Sequence, residues 1–412
     1  MRHPRTRRAL LVLTAALATL APALLPLGPA PSAVAAPWPY GDDGCPASSV
    51  PVARTDAARR VMDTVRRARA ELGLRAVLVR VERRGREVVT GGVGESLAGV
   101  PAVPRMRVRA GAAAAAHLGT VLLQLVDEGR VRLDDPVSRW LPELPHGSRI
   151  TLRMLGSSTS GLRDYATDPD FLGALYTDPF RGWTPAELLR IATARPLWYA
   201  PGTNWSYSHA NPLVLGTALE RITGTRLDAL LERRVIRPLG LRHTRNSFTS
   251  QMPRPALHAF DSQRGRYEES THWDPSWTAP PGAVLTTHVC DLARAARAVA
   301  TGELLSAAAH RQRLDPGTVG LGGATARCPA SVCRRNTGPR HYGLGVVVEN
   351  GWVLQNPSFN GYAVVQAHLP SEGLTFALAA TQGPTTPAGN AAEAVAARLA
   401  RALTPGHPLT TL

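Results

Sequence analysis

Between Ala110 and Val126 the chain carries neither an acid nor an arginine, although 19% of all its residues are charged. The stretch Ala110 to Glu128 has a helical pattern without a polar stripe. A helix that is apolar on every side must be enclosed on every side. This segment is therefore expected to be a buried central helix with other layers packed round it. Enclosing it takes a large core, which 412 residues at 44% hydrophobic content can supply. A disordered chain and a small disulfide scaffold are excluded on that ground.

The surrounding layers follow from periodicity. Asp56 to Leu72 reads as an amphipathic helix with Val61, Val65 and Leu72 on one side. Two β-like runs, Ala76 to Val81 and Arg86 to Thr90, are joined through Arg84-Gly85 as a hairpin that Gly91, Gly92 and Gly94 close. Pro185 to Thr193 reads as a helix capped by Thr184, followed by helices over Leu213 to Ile222 and Leu227 to Arg234. Further β-like runs lie at Gly345 to Val348, Ala363 to Leu369 and Leu374 to Ala380, before a last helix from Asn390 to Leu403. Strand-forming ends around a helical middle imply an α+β layer built from both chain ends, with a helical insertion between them. The expected organisation is one domain, with 56–105 and 280–412 as an α/β subdomain and 106–279 as a helical one.

The N-terminus reads as an export signal. Arg2, Arg5, Arg7 and Arg8 precede an apolar stretch from Ala9 to Leu25, and Ala33-Val34-Ala35 offers a small-x-small cleavage site. Residues 1–35 are thus expected to be a signal peptide, with a Pro-rich leader over 36–55. Pro22, Pro26, Pro29 and Pro31 shorten the apolar span below the ~20 residues a bilayer needs, so no transmembrane anchor is expected after cleavage. The expected location is secreted or extracytoplasmic, with wall association. Cleavage would lower the formal charge from +16 to +12. An anionic cell-wall polymer fits that charge and compartment better than nucleic acid, which is not an expected partner. A lysine-free chain rich in Ala, Arg, Gly and Pro is also what a GC-rich genome encodes.

The four cysteines, Cys45, Cys290, Cys328 and Cys333, allow three pairings. Cys328 and Cys333 are close enough to staple a local loop, which would leave Cys45 and Cys290 to bridge distant parts. No paired Cys-x-x-Cys or His-x-x-x-His spacing supports a metal site, and no cofactor is implied.

Several motifs carry a resemblance. The run from Leu122 to Pro142, containing Gln124-Leu-Val-Asp-Glu-Gly129 and Asp134-Asp-Pro136, resembles the stretch after the active-site helix in serine β-lactamase-like proteins. That group includes class C β-lactamases, D-alanyl-D-alanine carboxypeptidases and related esterases. Thr159-Ser-Gly-Leu162, Pro201-Gly-Thr203, Tyr207-Ser208, Ala210-Asn211, Asp274-Pro-Ser-Trp277, Tyr342-Gly-Leu-Gly345 and Asn360-Gly-Tyr362 follow in matching order, so that the resemblance spans about residues 70 to 400. It implies the penicillin-binding fold, an antiparallel sheet flanked by helices with a mostly helical subdomain.

The family's chemistry needs Ser-x-x-Lys on the first turn of the central helix, where residues three apart share a face and the amine can take the serine proton. Aligned through Gly111 and Thr120, those positions are Ala112 and Ala115. All 47 basic residues are arginine, so no lysine exists anywhere to replace the base, and a guanidinium stays protonated. The second motif reads Tyr207-Ser208-His209, with an imidazole where the family has the amide that holds a substrate carbonyl. The third reads Gln355-Asn356-Pro357, and proline removes a strand donor. Ser158 replaces a common histidine. Loss of the nucleophile alone costs roughly 10⁶ in turnover, about 8 kcal/mol. Tyr207, Ser208, His209, Gln355 and Asn356 remain as expected ligand-binding residues.

Other candidates carry less. Ser208 beside His209 suggests a relocated nucleophile and base, but sequence neighbours seldom orient for this and no carboxylate partner is evident. Ser157, Ser158 and Ser160 read as a helix-capping cluster, His117 as a packing histidine, and Asp134-Asp135 as a structural turn. Trp183, Trp198, Trp205, Trp273 and Trp277 could line a groove, core packing being the simpler reading. The expectation is therefore a catalytically silent relative that binds a peptidoglycan-type stem peptide or a protein partner. The alternatives are an active carboxypeptidase- or esterase-like hydrolase with a relocated nucleophile, and a basic wall-associated module.

Overall fold

The structure, a computed structural model, describes residues 45–49 and 55–410. The expected signal peptide lies outside the described residues, as does most of the leader. A nine-stranded antiparallel sheet forms the backbone of the molecule. In spatial order it runs Val100–Pro101, Arg86–Leu97, Ala76–Arg83, Leu374–Thr381, Tyr362–Leu369, Trp352–Gln355, Val347–Glu349 and Arg340–Tyr342, with Ser358–Phe359 also paired to Tyr362–Leu369. The first and last parts of the chain meet at its centre, where Ala76–Arg83 pairs with Leu374–Thr381 along its whole length. The architecture is α+β, as the residue pattern and the resemblance imply.

Alternation along the strands sends side chains to two different cores. Val77, Val79 and Val81 join Val365, Leu378 and the helices Asp56–Glu71 and Ala391–Leu403 on one face. Ala76 and Leu78, with Val364, Ala377 and Ala379, face the central helix Ala114–Asp127 and the helical segments beyond it. Both faces are covered, so Tyr362–Leu369 and Leu374–Thr381 are buried at every position. That is why they read as continuous rather than alternating apolar runs.

The sequence reading needs three corrections. The strand Arg86–Leu97 runs straight through Gly91, Gly92 and Gly94 instead of ending there. A Cβ on Gly92 would stand 2.1 Å from the Ala102 carbonyl oxygen, and one on Gly94 (φ +89°) equally close to that of Arg75. These glycines mark where another backbone segment crosses, which local pattern cannot distinguish from a turn. The central helix starts with a 3-10 turn, Gly111–Ala113, before becoming α-helical at Ala114. The helix at Leu227 is α-helical only to Leu231 and continues as a π-turn over Glu232–Ile236. One sheet-covering helix, Val289–Thr301, is not delimited by the sequence pattern. Its buried face is mostly alanine (Ala293, Ala295, Ala296, Ala298 and Ala300), which gives a weak periodic signal.

Candidate functional site

The positions that the sequence resemblance aligns with the family's nucleophile and base lie at the start of the central helix. Ala112 belongs to the turn Gly111–Ala113, and Ala115 to the first α-helical turn. Gly111 takes a positive φ of +43° where the Phe359 ring presses on it; a Cβ there would stand 2.4 Å from that ring. The space beside Ala115 is bounded by Ser158, Tyr207, Asn211, Tyr342 and Gly345, a cavity of about 10 Å³. That is room for roughly one water molecule.

The roof of this hollow is the turn at Gly345, whose N–H donates to Gly156 O (3.0 Å) and whose carbonyl accepts from Gln355 Nε2. Burial pushes the Tyr342 phenol up to about 12. Tyr207 is held well above the ordinary phenol value by burial first, then by Tyr342 and the Asp164 charge. Both phenols therefore keep their protons near neutrality, and neither can serve as a base there.

The serine cluster is a buried scaffold. Ser160 Oγ donates to Asn211 Oδ1 (2.5 Å), Asn211 Nδ2 donates to Ser158 Oγ (2.9 Å), and Ser158 Oγ donates to Ser206 O (2.9 Å). The hydroxyls of Ser157 and Thr159 pair with each other at 3.0 Å. Ser158 ends the helix Leu152–Ser157 in the left-handed conformation (φ +61°).

Ser208 and His209 point apart. Ser208 is fully buried, its Oγ donating to Arg163 O (3.0 Å) and accepting from Ala210 N (3.1 Å). His209 instead finds the carboxylate that local sequence does not reveal: its Nδ1 lies 3.0 and 3.1 Å from the two oxygens of Asp164, and its backbone N–H donates to Asp164 Oδ1 (3.2 Å). The carboxylate partner that is not evident in the sequence is thus Asp164. Its only advance signal is an Asp directly after Ser160-Gly-Leu-Arg163. Burial disfavours the imidazolium, but the Asp164 charge and hydrogen bond outweigh it, so the His209 pKa is raised above its usual value. His209 Nε2 has no hydrogen bond among the described residues, and the side chain is 21% exposed.

His209 also sits in a row of rings. Tyr342 and Tyr207 are 6.1 Å apart, Tyr207 and His209 5.2 Å, His209 and Trp277 6.0 Å, and Trp277 and Phe359 6.2 Å, centre to centre. Trp198, Trp205 and Trp277 are partly exposed, while Trp183 and Trp273 are core residues.

The third motif is committed to structure. The ladder of Trp352–Gln355 stops at Gln355, and the Pro357 carbonyl accepts from Val364 N (2.8 Å) before pairing resumes at Ser358. Asn356 is turned away to the C-terminal helix: its amide donates to Glu393, and its carbonyl accepts from Asn390 Nδ2 (2.7 Å). Asp134 and Asp135 hold Arg153 and Arg139 (2.7 and 2.6 Å). His117 is buried with no hydrogen bond on either ring nitrogen among the described residues. Both disulfides, Cys45–Cys290 and Cys328–Cys333, are formed. No helix among the described residues is long and apolar enough to cross a membrane.

Comparison with known proteins agrees with this geometry. The chain is 34% identical over 205 residues to esterase EstB of Burkholderia gladioli, covering 46% of this chain and 50% of that protein. It thus spans about half the length of that curated relative. A D-stereospecific amidohydrolase from Streptomyces sp. has a similar structure (TM-score 0.71, 25% identity, 84% of this chain and 98% of that one). The fold is also shared with the D-amino acid amidase of Ochrobactrum anthropi SV3 in complex with D-phenylalanine (TM-score 0.69, 19% identity, 85% and 99%). With the Beta-lactamase family model matching residues 61–401, which takes in the central helix, the tyrosine wall and both halves of the sheet, the chain belongs to the Beta-lactamase family of serine hydrolases.

Proposed function

We propose that this protein is a catalytically silent member of its family, one that binds a ligand at the ring-lined mouth without forming an acyl-enzyme. The observation that carries the reading is the placement of Ala112 and Ala115, in a chain without any lysine, at the start of the central helix, with Ala115 beside a hollow lined by Tyr207, Asn211 and Tyr342. The nucleophile and its base are both replaced at one place. Restoring any one of them alone would not restore the reaction. The ligand is a peptidoglycan-type stem peptide and the site of action is outside the cytoplasm, a reading supported by the N-terminal charge and apolar pattern and by the two disulfides.

The test is intact-mass spectrometry after incubation with benzylpenicillin, alongside calorimetric titration with a D-alanyl-D-alanine-terminated peptide. Binding of the peptide without drug adduct or released D-alanine is expected. A stable mass gain equal to the drug would overturn silence, and no heat with the peptide at millimolar concentration would overturn the ligand.

A second reading rests on the Asp164–His209 pair, which has the geometry of an oriented base. Among the described residues no hydroxyl bonds its Nε2, since Ser208 faces the Arg163 carbonyl. Hydrolysis of an activated ester that disappears in His209→Asn and persists in Ser208→Ala would favour it, with water as the attacking group.

A further inference from the structure

The two disulfides stand in different surroundings. Cys328 and Cys333 are 0% and 2% exposed, and the donor on their sulfurs is the neutral Asn204 amide (3.5 Å from Cys333 Sγ). In the other bond Cys45 is buried (8% exposed), but Cys290 is only partly buried and is the second residue of the helix Val289–Thr301, where the aligned backbone N–H groups favour negative charge. Arg80 Nη1 lies 3.6 Å from Cys290 Sγ, and a ring nitrogen of His288 is within 4.8 Å of both sulfurs of Cys45–Cys290.

The other charged groups of this neighbourhood are known. Arg80 is shared with Glu82 (2.6 Å) and Glu87 (3.1 Å), and the His288 ring lies tilted against that of His243 (4.8 Å between centres) and faces Asp291 (3.8 Å). Even shared, Arg80 is the cation in hydrogen-bonding reach of the Cys290 sulfur. Thiols at helix N-termini beside cationic side chains ionise more readily than free cysteine, and a better-stabilised thiolate is a better leaving group in exchange.

We propose that Cys45–Cys290 is an exchangeable disulfide, opened by a dithiol reductant that attacks Cys45 Sγ and expels Cys290 as the thiolate. In the first step the reductant's thiolate bonds to Cys45 Sγ, and the electron pair of the old S–S bond goes to Cys290 Sγ. In the second, the reductant's other thiolate displaces Cys45 Sγ, which takes a proton from water. The reductant leaves as its own disulfide and the protein has gained two electrons. Opening the bond unties the segment Cys45–Ser49 from the helix Val289–Thr301, while Cys328–Cys333 stays closed.

The experiment treats the folded, oxidised protein with limiting dithiothreitol at pH 7, quenches with iodoacetamide and maps alkylated peptides by mass. Cys45 and Cys290 are expected to be alkylated at least tenfold before Cys328 and Cys333. Simultaneous opening, or opening of Cys328–Cys333 first, overturns the proposal without any variant being needed. In Arg80→Gln, opening is expected to slow by about threefold, and alkylation of reduced Cys290 to shift to higher pH, with Arg80→Lys restoring both. An unchanged rate and pH profile in a folded Arg80→Gln would overturn the part assigned to Arg80.

Discussion

Gly345 lies directly against Ala115: a Cβ built on the glycine would stand 2.2 Å from the Ala115 carbonyl oxygen, and its φ is +71°. The turn that roofs the hollow is thus fixed to the backbone of the helix that would carry the base. Introducing Ala115→Lys together with Ala112→Ser puts a long amine into a narrow hollow lined by Tyr207, Tyr342 and Asn211, with no carboxylate among the lining residues. The double variant is expected to lose about 1–3 kcal/mol in urea unfolding and to show no penicillin adduct by intact mass. An adduct would mean that the cleft still opens to the ancestral shape.

His209 should tie stability to pH in one direction. Its folded pKa is raised, through Asp164 acting against burial. The protonated form is therefore favoured by folding, and that contribution is complete below the unfolded value of about 6.5. It fades as pH rises through the raised folded value. The stability difference between wild type and His209→Asn is expected to be greatest in mildly acidic buffer and to shrink above neutrality, as read from thermal midpoints across a pH series.

His117 should act in the opposite direction. Burial, then the nearby Arg313 charge, lowers its pKa to about 4. The unfolded chain binds the proton more readily, so this residue's contribution is present above about pH 6.5 and is lost as pH falls towards 4, by roughly 3 kcal/mol. His117→Leu removes two unpaired buried nitrogens and is expected to raise stability at neutral pH by about 1 kcal/mol or more. It should also flatten the acid limb of the urea-midpoint profile.

Asn211 should be costly to truncate. It accepts from Ser160 Oγ and donates to Ser158 Oγ and the Ser208 carbonyl (3.3 Å) inside the protein. Asn211→Ala leaves those groups buried with fewer partners, at about 1–3 kcal/mol. A loss below about 0.5 kcal/mol in denaturant titration would contradict that network.

The disulfides should differ in what they contribute. Cys45–Cys290 spans a sequence separation of 245 and Cys328–Cys333 one of 5. Chain-entropy estimates give roughly 5 kcal/mol for the first and roughly 2 for the second. Paired Cys→Ser variants at each bond, compared by calorimetry, are expected to preserve that order.

Much of the framework is readable in advance because it rests on local pattern. Helices such as Pro185–Thr193 announce themselves through Thr184, Pro185 and Glu187, with Thr184 and Glu187 forming a full capping box. Strands such as Leu374–Thr381 do so through unbroken apolar runs. The glycines of Arg86–Leu97 mislead because glycine marks a turn and a close backbone crossing with the same letter. Asp164 escapes notice as a partner of His209 because 45 residues separate them.

The amino-acid sequence by itself determined the order of elements, the family, the alanines at 112 and 115 and the absence of any lysine. Those facts are properties of residue type and spacing, and no conformation can return an atom that is not in the chain. Tertiary structure alone decided that His209 is held by Asp164 while Ser208 faces away, that Asn356 serves the C-terminal helix, and that Tyr207, Asn211 and Tyr342 line the hollow beside Ala115. These are contacts between side chains far apart in sequence, set by where the folded backbone crosses itself.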